Sequence, residues 1–161
     1  PHGVPFLSAR SEMEGKGGNR IIYGHNIHKK TRDIFCDLAG YEDLAFYQEH
    51  PIIETVSESG TRQWLIFAYY LVDNADDEPF KYSDTAYMDE VGERNWLCVP
   101  YEHSIDDTYL TLSSCSNELA GSGTNRMVVM AVQIPYGLDI SAQVADTVMA
   151  EEPRLPDKLS K

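Results

Sequence analysis

The sequence predicts a mainly β fold with a few short helices, and three stretches predict it. Residues 109–114 alternate, with Leu110 and Leu112 on one face and Thr111 and Ser113 on the other, which is the period of a half-buried strand. Residues 126–132 form a second run of β-branched and apolar side chains, and the polar stretch between the two runs carries Gly121 and Gly123, as a loop should. Residues 62–72 (RQWLIFAYYLV) are dense in aromatic and β-branched residues; with residues 51–56 they read as a strand pair turning at Glu58-Ser59-Gly60. If the strands of the first two runs pair antiparallel, Cys115 and Arg126 face each other at one end of the ladder.

The remaining elements are read in chain order. Gly3-Val4-Pro5-Phe6-Leu7 is a short extended segment, and residues 11–19 (SEMEGKGGN) are a polar, Gly-rich turn. Ile21-Ile22-Tyr23 is a strand ending at Gly24-His25. Over residues 31–47, Ile34, Leu38, Tyr41 and Leu44 recur every three or four positions, which predicts one or two short helices broken near Gly40. Residues 73–78 (DNADDE) are an acidic, solvated loop, 82–91 a short helix, and 96–99 a strand or core segment before Pro100. Pro135-Tyr136-Gly137 is a turn, 139–150 hold a short helix, and the charged, Pro-rich end 151–161 is expected to fray.

Composition narrows the function. A chain of 161 residues is most simply one domain, long enough to bury a core. It carries 13 basic and 26 acidic residues, a net charge of −13, which argues against binding nucleic acid or anionic lipid, since both need a basic surface. No apolar run approaches the roughly 18 residues that span a bilayer, and no secretory signal pattern is present. Three cysteines are too few for a disulfide framework. Cys115 ends a strand; Cys36 and Cys98 are expected to be buried, reduced thiols rather than a disulfide.

Taken singly, Cys115 reads as a core thiol, Arg126 as a surface charge, and His2, His50 and His103 as structural residues. The order of motifs changes the first two. Ile22-Tyr23-Gly24-His25-Asn26, Thr111-Leu112-Ser113-Ser114-Cys115 and Asn125-Arg126-Met127-Val128-Val129 together resemble the histidine, cysteine and arginine motifs of the sortases, the first of them in its class B form. The resemblance runs from about residue 3 to 132. It departs from the family at Ser114, where a Thr commonly precedes the cysteine.

The resemblance implies a closed β-barrel with a few short helices. It implies a single catalytic domain over residues 1–161, with residues 134–161 as a C-terminal tail. The N-terminal membrane anchor and first barrel strands of the family would lie outside this chain. Class B members carry a longer helical insertion where this chain has residues 73–107, a short version of it.

The resemblance also implies the chemistry. Cys115 is the nucleophile, reactive as the thiolate. His25 is the acid–base residue, preferred over His28 by its Tyr-Gly-His frame. Arg126 stabilises the oxyanion through a permanently charged, planar fork. Ser113, Ser114 and Asn26 are the expected substrate-binding residues, without a part in proton transfer. No cofactor is required. The implied partners are the sorting-signal peptide of secreted surface proteins and an amine of peptidoglycan precursor or a pilin subunit, at the extracellular face of a Gram-positive cell membrane. Two rivals are an L,D-transpeptidase and a non-catalytic barrel that binds surface proteins. In an L,D-transpeptidase the arginine closely follows the cysteine, whereas here it lies 11 positions on, from 115 to 126. The papain-like order, cysteine first, is the reverse of this chain.

Overall fold

A computed structural model describes residues 4–9, 11, 17–24, 34–73, 85–116 and 125–156, with the backbone alone for Thr85, Ala86, Cys115 and Ser116. Its main feature is a six-stranded sheet built from β1 (Phe6–Leu7), β2 (Gly18–Gly24), β3 (Ile52–Ser57), β4 (Gly60–Asp73), β6 (Thr108–Ser116) and β7 (Asn125–Ile134). The order across it is β1-β2-β6-β7-β4-β3. Neighbours are antiparallel except β2 and β6, which run parallel. The sheet curls, but its outer strands β1 and β3 do not pair among the described residues, so the expected closed barrel is a half-barrel.

The sheet is apolar on both faces. One face packs Trp64, Ile66, Tyr69, Leu71, Leu110, Met127 and Val129 under the helical segment after β2. The other packs Leu65, Phe67, Tyr70, Val72, Tyr109, Val128 and Met130 against α2 (Thr85–Arg94). A strand covered on both faces has no polar side, which is why residues 62–72 read as an unbroken apolar run. β4 also changes phase: a register shift between Ile66 and Ala68 moves the inward positions from even to odd. That is the action of a bulge, which inserts one residue and re-aims those after it.

The helical segment is a 3-10 helix, Cys36–Glu42, followed by α1 (Leu44–Glu49). The break falls at Asp43 rather than near Gly40. Asp43 is extended and its carboxylate accepts a hydrogen bond from Ala45 N at 2.9 Å, capping α1. Gly40 is needed for packing instead: a methyl group there would lie 2.8 Å from the Phe46 ring. β5 (Leu97–Cys98) follows α2, and β8 (Val148–Met149), after α3 (Ser141–Asp146), pairs with it. The expected fraying of the chain end is corrected for residues 151–156. Arg154 pairs with Glu90 and Glu93 of α2 at 2.9 and 2.7 Å, its N–H donates to Glu93 O, and Pro156 is buried. Cys36 and Cys98 form no disulfide; Cys36 is buried as expected, whereas Cys98 is exposed.

Candidate active site

Three strands bring the motif positions to one end of the sheet. In the parallel pair β2–β6, Gly24 lies beside Ser114. In the antiparallel pair β6–β7, Cys115 lies opposite Arg126, and Val72 of β4 stands on the other side of Arg126. β2 therefore ends one residue before His25, β6 ends one residue after Cys115, and β7 begins one residue before Arg126. The parallel register is what sets the histidine motif next to the cysteine motif, and nothing local in the sequence signals it. His25, Asn26 and His28 lie outside the described residues.

Side-chain alternation assigns the faces. Tyr109, Thr111 and Ser113 are alternate residues of β6, their partners on β7 are Val132, Met130 and Val128, and Arg126 is the next alternate residue of β7. This is the face that packs against α2. Tyr23, beside Ser113, belongs to it too. The Arg126 guanidinium carbon lies 5.8 Å from the centre of the Tyr23 ring, within reach of a cation–π attraction. Phe6 stacks on Tyr23 with ring centres 5.4 Å apart and planes inclined by 29°. Sequence reasoning used Tyr23 only as part of the frame around His25; its own signal is an aromatic residue at that position.

Ser113 and Ser114 precede Cys115 on β6; both are fully buried, and their hydroxyls find no partner among the described residues. In the sheet they are small residues on a central strand between two covered faces. Asn125, next to Arg126, is also fully buried, and both ends of its carboxamide are unpaired among the described residues. Arg126 itself is part-exposed. Gly24 has a packing reason: a methyl group on it would fall 2.4 Å from Phe35 Cδ2.

Six residues back along β6 from Cys115, the polar groups are paired. The Tyr109 hydroxyl donates to Ser104 O at 2.5 Å, so its oxygen accepts from His103 Nδ1–H at 2.9 Å. Phe67 lies 4.2 Å from the His103 ring. Burial lowers the His103 pKa, with Asp107 opposing; burial, then Asp107, raises that of Tyr109. His103 is the structural residue it was expected to be. A cavity of about 550 Å³ opens beside it, lined in part by Phe67, Met88, Val91 and Ile105, and lies away from the motif end.

In general a cation close to a thiol favours the thiolate, and an arginine can stabilise negative charge that develops on a substrate. Comparisons with known proteins give the family. The family profile of the sortase domain matches residues 1–134. Among solved structures, the chain is similar to a Staphylococcus aureus sortase B–substrate complex, at 27% identity and a TM-score of 0.68, covering 84% of this chain and 64% of that one. It is similar to a sortase B complexed with Gly3, at 28% identity, TM-score 0.69, and 84% and 64% coverage. It is also similar to sortase B from Listeria monocytogenes, at 26% identity, TM-score 0.66, and 81% and 73% coverage. The chain thus spans under two thirds of the length of the first two structures. No curated protein matches the sequence.

Proposed function

The chain belongs to the sortase family, and from that premise we propose that it is a class B-type cysteine transpeptidase. Cys115 is the nucleophile, His25 the acid–base residue and Arg126 the oxyanion-stabilising cation. The observation that carries this reading is the register: Cys115 opposite Arg126, and Gly24, one residue before His25, beside Ser114. A dead-end binding barrel has no need of that juxtaposition, and the family assignment sets the L,D-transpeptidase aside.

The Cys115 thiolate attacks the threonine carbonyl carbon of a sorting signal. A tetrahedral oxyanion forms, and the guanidinium of Arg126 donates to it. Such a donor contributes on the order of 3 kcal/mol to lowering the barrier. The C–N bond breaks as His25 protonates the departing amine, leaving a thioacyl enzyme. His25, now neutral, takes the proton of an incoming amine as that amine attacks the thioester. The product is a new amide, and Cys115 is released. The acceptor is an amine of peptidoglycan precursor or of a pilin subunit. The substrate-bound and Gly3-bound relatives support a peptide donor and an amine acceptor.

The proposed place of action is the extracellular face of a Gram-positive cell envelope. No helix among the described residues is long and apolar enough to cross a membrane.

The test separates transfer from hydrolysis. A held neutral amine outcompetes water at a thioester. With a threonine-containing sorting peptide, an added oligoglycine or lysine-bearing peptide should give a ligated product by mass spectrometry, and its omission slow hydrolysis at the same Thr carbonyl. Cleavage without ligation across a panel of amines would make the protein a cysteine protease.

A further inference from the structure

We propose that Tyr23 is a positioning residue for Arg126: its ring holds the guanidinium above β6, with the arginine's N–H donors left open for the substrate. The proposal rests on the reading of Arg126 as the oxyanion cation and deepens it.

The strand order makes the contact informative. Tyr23 is on β2 and Arg126 on β7, with β6 between them. Their backbones are therefore roughly 10 Å apart across the sheet, twice the strand spacing. They are also offset along it, because Tyr23 is level with Ser113 and Arg126 with Cys115. Yet the guanidinium carbon and the ring centre are only 5.8 Å apart. The two side chains reach toward each other across β6, over the step from Ser113 to Cys115. Ser113 is buried on that face and is small enough to pass beneath them.

A contact there supplies what the strand alone does not. Register fixes the Arg126 backbone, but the charge sits at the end of a long side chain with many rotamers unless something holds it. An oxyanion donor is effective only if it is already in place when the charge develops. A carboxylate could hold the guanidinium, but it would occupy the N–H fork and neutralise the charge. Among the described residues none pairs with Arg126. An aromatic face attracts the cation through its quadrupole and leaves the N–H groups to others. The ring is itself held: Phe6 pairs with Tyr23 across β1–β2 and stacks on it. The column Phe6–Tyr23–Arg126 thus ends above the strand that carries Cys115.

The experiment has one readout that needs no substrate and one that does. By NMR of the protein alone, ring currents from Tyr23 shift the Arg126 δ-methylene and Nε–H resonances. Tyr23→Leu should abolish that shift, and Tyr23→Phe, which keeps the ring, should preserve it. In the ligation assay, Tyr23→Leu should lower kcat about 10-fold, the range of a part-desolvated cation–π contact, with little change in KM. Tyr23→Phe should recover most of the loss. In an Arg126→Gln background, which has no cation for the ring to hold, the same Tyr23→Leu change should cost far less than in the native protein.

Unmoved Arg126 resonances in Tyr23→Leu would overturn the contact. Equal losses in Tyr23→Phe and Tyr23→Leu, or an undiminished loss in the Arg126→Gln background, would overturn the positioning role. A native protein without turnover would sink the functional reading, while the NMR arm still decided the contact.

Discussion

At one end of the β6–β7 ladder the Tyr109 hydroxyl donates to Ser104 O and accepts from His103, and the Thr111 hydroxyl donates to Asn19 Oδ1 at 2.8 Å. At the other end the Ser113 and Ser114 hydroxyls and both ends of the Asn125 carboxamide are buried with no partner among the described residues, and Arg126 reaches toward the Tyr23 ring. Tyr109, Thr111, Ser113 and Ser114 are all fully buried on one strand; the difference is what their hydroxyls do. An unpaired buried donor or acceptor costs about 1–3 kcal/mol. Such groups persist only where the surrounding packing carries them, and Val128, Val129 and Met130 between the two ends are fully buried. The Tyr109 end holds the fold. The Cys115 end leaves buried polar groups unpaired among the described residues, and it is the end to which the three motifs run.

The sharpest way to break this contrast is to remove the thiols one at a time. Cys115→Ala should abolish ligation. Cys36→Ala and Cys98→Ala should leave turnover largely intact, because Cys36 is buried at the start of the 3-10 helix and Cys98 is exposed on β5. Peptide ligation rates of the three variants, with circular dichroism to confirm folding, decide it. Comparable losses in all three would mean that the motif end is not chemically distinct.

How much of this could be read beforehand depended on whether the cause was local. The alternation in residues 109–114 and the Gly-containing loop after them are local, and they predicted the β6–β7 hairpin and the Cys115–Arg126 pairing. The strand pair β3–β4 and its turn were equally legible. The parallel pairing of β2 with β6 joins residues about 90 positions apart and leaves no local trace, yet it sets the histidine motif beside the cysteine. The full burial of Ser113 and Ser114 depends on both faces of the sheet being covered, which alternation along one strand does not tell. Residues 151–156 misled because their anchorage lies in Glu90 and Glu93, far along the chain.

A smaller effect sharpens the contrast energetically. Tyr109→Phe removes the oxygen that His103 donates to and the proton that Ser104 O accepts. It should cost about 1–2 kcal/mol of stability by leaving both groups unpaired. Ser114→Ala at the other end removes a buried hydroxyl that has no partner among the described residues. It should leave stability unchanged or raise it. Urea midpoints at constant m-value measure both. If Ser114→Ala proves the more destabilising of the two, its hydroxyl is bonded in solution and the two ends do not differ as described.

The smallest effect concerns protons at the Tyr109 end. His103 packs against Phe67, and its Nδ1–H is committed to the Tyr109 oxygen. Burial lowers its pKa below the ordinary 6.5, although the Asp107 carboxylate pulls the other way. The sign follows from proton counting. Between the lowered folded value and 6.5, the unfolded chain binds more protons than the folded one, so acid favours unfolding there. The contribution of neutral His103 to stability is therefore complete above pH 6.5 and declines as pH falls from 6.5 through the folded pKa. Below that value it changes no further. The effect is small because the ring is only part-buried and the Asp107 carboxylate offsets some of the effect of burial. Urea midpoints between pH 5 and 8 for the native protein and for His103→Gln, which keeps a donor but cannot titrate, isolate it from the carboxylates. The native protein should lose stability relative to the variant as pH falls through the window. A relative gain instead would mean that Asp107 outweighs burial and that His103 is held as a cation.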